Sequence, residues 1–211
     1  MSDNRLGGIA LFAGAIALLV TMALHPTGQQ IAGSFHGMEL LNMLVHTLGI
    51  ASMPVSLLGG IVLWKRLDGR GRHALIALVF FAAAMAAGLC AGTISGFVAP
   101  NIIRRMQTAD ADAKYWDAVA HLAWWMNQAF ARVLVLATWT AILFWSLAIR
   151  RTSRLTPWIA TYGLVCAPLV LLVVGSGHIQ LDVHGFGLVV LLQSVWFLAV
   201  GSALYRLPTE A

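Results

Sequence analysis

Six apolar runs, each close to or above the length that crosses a bilayer as a helix, constrain this chain more than any motif in it. They cover Leu6–Leu24, Met43–Trp64, Ala74–Ala99, Asp117–Ile149, Trp158–Gly175 and Phe186–Tyr205. About 20 residues suffice for ~30 Å of hydrocarbon. Lipid offers backbone N–H and C=O groups no partner, so each run must satisfy its own polar groups as a helix. Of the 211 residues 60% are hydrophobic and 10% charged, whereas a soluble domain carries about 25% charged residues. That much apolar surface cannot be hidden in a core of this size. The expected fold is all-α: a polytopic membrane protein, a six-transmembrane-helix bundle forming a single domain over residues 1–211.

The runs are separated by His25-Pro26-Thr27-Gly28, Lys65–His73, Pro100-Asn101, Arg150–Pro157 and the Gly-rich segment Gly175–Gly187. The first run lacks the basic start and short apolar core of a cleaved signal, and is expected to be a retained helix. Lys and Arg in the connecting segments set the orientation. Arg5, Lys65, Arg66, Arg70, Arg72, Arg150, Arg151, Arg154 and Arg206 fall on one side, against Arg104, Arg105 and Lys114 on the other. Both termini are therefore expected on the cytoplasmic side of an inner membrane. The net charge of +5 follows from this asymmetry and does not point to nucleic acid. Cys90 and Cys166 lie inside apolar runs and are expected to be small core residues rather than a disulfide or a ligand pair. Pro54 and Pro168 fall within spans two and five, where they are expected to kink the helices and free carbonyls. The small residues of span three, from Ala82 to Gly96, suit close helix packing in lipid. Trp64, Trp116 and Trp158 sit where interfacial anchors belong.

The orientation gathers six of the seven histidines, His25, His36, His46, His121, His178 and His184, at the outer helix ends, with Glu39, Asp110, Asp112, Asp117 and Asp182 beside them. Imidazole is the commonest protein metal ligand. Taken singly, each is an ordinary interfacial residue; together they suggest a metal site. The expected ligands are His25, His46, His121, His178 and His184 with Asp117 and Asp182. His178, Asp182 and His184 come from a segment of seven residues flanked by glycines. Glu39, Met43 and His46 share a helical face, with Asn42 one turn before His46.

In span four, Asp117, His121, Trp124, Gln128 and Arg132 recur at helical spacing. This stripe is expected to face the bundle interior and to reach mid-bilayer at Arg132, where an ionisable residue is a functional candidate. Gln128 and Arg132 are its candidates for acting on a substrate. Trp124 and Trp125 are placed to shield the site from water.

These residues suggest a transition-metal centre of copper, zinc or iron, redox or hydrolytic, acting on a lipid or quinone-like molecule entering from the outer leaflet. One alternative is a b-type haem held by His46 and His121 and exchanging electrons with quinone. Another is a proton-linked transporter or pH sensor. Self-association is compatible with any of these.

Overall fold

Each apolar run forms a helix in the computed structural model, which describes residues 2–26, 35–67, 71–108, 113–152, 155–179 and 181–207. The helices are α1 (Asp3–Ala23), α2 (Phe35–Arg66), α3 (Arg72–Thr93), α4 (Ala99–Thr108), α5 (Ala113–Thr152), α6 (Pro157–Gly175) and α7 (Val183–Arg206). A π-helical turn, Ile94–Val98, joins α3 to α4 without a break. Among the described residues, six helical rods are long and apolar enough to cross a membrane. The chain is an all-α, multi-pass membrane protein.

The rods close into a ring. α1 packs on α2 and α7, α3 on α2 and α5, and α6 on α5 and α7. Small residues allow the tightest crossings. A β-carbon at Gly8 would lie 2.6 Å from the Gly201 carbonyl oxygen, so α1 and α7 meet backbone to backbone. One end of the ring carries Lys65, Arg66, Arg72, Arg150, Arg151 and Arg206 and is called the basic end. The other, where His25 and His46 lie, is the histidine end. Towards the basic end the core is aromatic: Phe81 meets Trp145 edge to face with ring centroids 5.0 Å apart, and Trp145 stacks on Trp196 at 5.9 Å. All three rings are fully buried.

Several helices outrun the expected spans. α5 has 40 residues and α2 has 32, or about 60 Å and 48 Å at 1.5 Å per residue. Both exceed a ~30 Å hydrocarbon layer, so their histidine-end turns stand beyond it. There Arg104 of α4 pairs with Glu39 of α2.

Pro100-Asn101 does not end span three, as the sequence suggests; the helix runs on to Thr108. The π turn accommodates the proline. Pro100 has no N–H to give, and widening the turn before it relieves the clash of its ring with the preceding carbonyls. The helices also continue through Pro54 and Pro168.

Candidate functional site at the histidine end

The π turn also frees a carbonyl. Ala99 donates its N–H to Ile94 O rather than to Ser95 O, and a proline stands at the next position. Ser95 O therefore lacks a helical partner, and Asn42 Nδ2 of α2 donates to it at 3.0 Å. Ser95 Oγ donates to Asn127 Oδ1 of α5, also at 3.0 Å. One irregular turn thus ties α2, α3 and α5 together around a polar centre.

His46 lies one turn along α2 from Asn42 and is only 6% exposed. A β-carbon at Gly96 would lie 2.5 Å from His46 Cβ, so the ring occupies space that only glycine leaves open. His46 Nδ1 sits 2.8 Å from Asn42 O, and a carbonyl can only accept. Nδ1 therefore carries the hydrogen, and neutral His46 presents a bare lone pair at Nε2. His25, just past the end of α1, repeats the arrangement: its Nδ1 donates to Pro26 O at 2.9 Å. The two rings meet edge to face, centroids 4.8 Å apart. Burial holds the His25 imidazole below its usual range, an effect partly offset by the bond to Pro26 O. Thr21 Oγ1 donates to Val45 O and fixes α1 against α2 beside the pair.

Both imidazoles line a cavity of about 450 Å³. Its polar wall adds Thr21, Asn42, Ser95, Asn127 and Gln128, and its apolar wall includes Leu18, Met22, Ile50, Met53, Leu134 and Phe186. Asn42 and Met53 are buried, whereas Trp124 is 53% exposed and Asp182 is exposed, so the space runs from a surface rim to a closed floor. Asp182 caps α7, accepting the Gly185 N–H at 2.8 Å. Apart from the imidazoles it is the one titratable side chain in the lining among the described residues. A mostly apolar chamber with a few converging polar groups has the composition of a small-molecule site.

The residues expected to converge on one metal do so only in part. His25 and His46 meet, and Asp182 shares their cavity. His121 is 68% exposed at its side chain on the outside of α5, its Nδ1 2.9 Å from the Asp117 backbone carbonyl and 3.6 Å from the Asp117 carboxylate. His178 is exposed in the turn after α6, its Nδ1 2.7 Å from Ser176 Oγ, and His184 is exposed in the first turn of α7. The side chain of His36 lies outside the described residues, as do Asp110 and Asp112. Among the described residues no three His, Cys, Asp or Glu side chains come together as a metal-holding group.

The stripe on α5 also departs from the sequence expectation. It does not face the interior throughout. Trp124 and Gln128 line the cavity, but Asp117, His121 and Arg132 are exposed. The face turned inward is that of Asn127, Ala131 and Leu134, and one residue swings the direction by ~100°, which carries Arg132 off it. Nor does Arg132 lie at mid-bilayer. It stands about five turns, ~27 Å, from Arg150 at the basic end, close to a full hydrocarbon thickness. His46 stands about as far from Lys65, so the cavity lies roughly one hydrocarbon thickness, ~30 Å, from the basic end.

Three residues of the site do not stand out from the sequence pattern: Ser95, Gly96 and Asn127. The signal for the first two was Pro100, which follows Ser95 by the five residues that leave a π-turn carbonyl without a donor. Nothing in the sequence marked Asn127 apart from its neighbour Gln128. Comparison with protein-family models, curated proteins and solved structures gives no match.

Proposed function

We propose that this membrane protein binds an amphipathic small molecule, quinol- or lipid-like, with its hydroxyl head against His25 and His46 and its apolar body along Leu18, Ile50, Met53 and Phe186. The observation that carries this reading is the pair of Nδ1–H···O=C bonds. They fix both rings so that two bare Nε2 acceptors belong to one buried, largely apolar chamber. A ligand O–H satisfies one such acceptor, and a ligand without a donor leaves both unpaired, at about 1–3 kcal/mol for each. Neutral imidazoles so placed can also take the proton of a bound hydroxyl. The position roughly one hydrocarbon thickness from the basic end suits entry from the outer leaflet of an inner membrane.

The same bonds support a second reading. A metal-ligating histidine characteristically donates its other ring N–H to a carbonyl or carboxylate, and His25 and His46 both do so. A copper, zinc or iron ion bound by this pair would draw its remaining ligands from the substrate or water. A haem between axial imidazoles fits less well: His25 and His46 touch each other, leaving no gap for a macrocycle, and His121 is turned outward.

Titration of the purified protein with a decyl benzoquinol and its dimethyl ether tests the first reading. Saturable binding of the quinol, at least about tenfold tighter than the ether, supports it; equal or absent binding overturns it. Elemental analysis of the same preparation tests the second. One metal per chain that disappears in His46→Ala supports it, and none after supplementation with copper, zinc and iron rules it out.

A further inference from the structure

A second concavity lies at the basic end, between α6 and α7. These helices are bonded where they cross: Trp196 Nε1 donates to Ile159 O at 3.2 Å, and Tyr162 OH to Leu192 O at 2.9 Å. α6 begins at Pro157, only two residues before Ile159, whereas α7 continues from Trp196 to Arg206, roughly three turns or ~15 Å. Past the crossing, α7 therefore has no α6 beside it. The resulting groove has a volume of about 540 Å³. Its floor is mostly apolar, with Leu155, Ala199 and Ala203 beside the Ser202 hydroxyl, and at its rim stand two exposed residues, Trp158 and Arg206.

Position and charge choose the occupant. The groove opens at the level where the basic residues of α2, α3 and α5 end their spans, which is the height of the lipid headgroups. Trp158 is an amphipathic ring of the kind that anchors at that height. Arg206 lines the groove itself, so its guanidinium is offered to whatever fills the space, and it suits a phosphate with two parallel donors. Basic pockets between transmembrane helices on the cytoplasmic side are sites for anionic lipid headgroups. We propose that this groove binds one anionic phospholipid of the basic-end leaflet, its phosphate on Arg206 and an acyl chain over Ala199 and Ala203. The lipid completes the α6–α7 contact that the short α6 leaves open. This proposal is independent of the histidine-end cavity.

Native mass spectrometry of the full chain in detergent, titrated with phosphatidylglycerol and with phosphatidylcholine of matched chains, tests the site. The expected result is one phosphatidylglycerol held about fivefold more tightly than phosphatidylcholine. That preference should vanish in Arg206→Gln, return in Arg206→Lys, and persist in His46→Ala. Ala203→Phe, which fills the groove, should lose both lipids while eluting as the parent protein does; should it fail to fold, the Arg206 pair decides alone. Glycerol 3-phosphate should not displace the lipid, because the acyl chain is part of the site. Equal retention of the two lipids, an unchanged preference in Arg206→Gln, or displacement by glycerol 3-phosphate would overturn the proposal. So would loss of the preference in His46→Ala, which would place the lipid in the other cavity, or a lipid-free dimer that Arg206→Gln dissolves.

Discussion

In the half of the bundle nearer the basic end, Phe81, Trp145, Trp196 and Phe197 pack ring against ring and fill the ring of helices. In the half nearer the histidine end the same helices part around a cavity, and the contacts across it are polar and irregular: a π turn, a freed carbonyl, two fixed imidazoles. The first half rests mainly on apolar volume, which many side chains supply, with the bond from Trp196 Nε1 to Ile159 O as a specific polar tie. The second depends on particular atoms, because each buried polar group must find its partner. Under the proposed function, stability rests with one half and ligand binding with the other, and substitutions in the two should fail differently.

The largest effect on stability is expected from Trp145→Ala, which empties the aromatic half. It should cost about 3–5 kcal/mol, read as a large fall in the detergent melting temperature, with ligand affinity per folded molecule unchanged. Gly96→Val should do the reverse in kind. Overpacking costs about 1–3 kcal/mol, but the new methyls push on His46, so quinol binding should be lost even in the folded fraction. Asn42→Ala strands the Ser95 carbonyl and should cost about 1–3 kcal/mol, with partial loss of binding. If Gly96→Val or Asn42→Ala lowers only stability, the division between the halves is wrong.

Acidity gives a smaller, directional test. The folded protein holds His25 below its ordinary value of 6.5, so the unfolded chain binds the proton more readily. The contribution of neutral His25 is fully present above pH 6.5 and is lost as pH falls from there through the lowered folded value. Melting temperature and quinol binding should both decline on that acid side, and His25→Asn should flatten the stability component. The smallest effect belongs to His121→Ala. This ring is largely exposed, so stability should move by less than about 0.5 kcal/mol, and binding should not change. A loss of binding there would return the exposed stripe of α5 to the site.

The number and order of the helices were legible because lipid leaves an apolar run no other way to satisfy its backbone. Depth and direction were harder to read. Counting from Asp117 placed Arg132 at mid-bilayer, whereas counting from Arg150 places it near the boundary, and only the full length of α5 shows which end to count from. His121 stands about three turns, ~16 Å, beyond the level that His46 shares with Arg132, and height along a helix does not give rotation about it either. That rotation turns His46 inward and His121 outward. Pro100 was legible as a disturbance but not as its outcome. A proline can stop a helix or widen it, and here the widened turn supplies the carbonyl that holds Asn42.

The most direct test is the affinity of the purified protein for a long-chain quinol, measured calorimetrically beside His25→Ala, His46→Ala and the double variant. The account predicts one molecule per chain, clear weakening in each single variant, and a double variant little worse than the weaker single one, because both rings serve one head group. Parent-like binding in the double variant would contradict it.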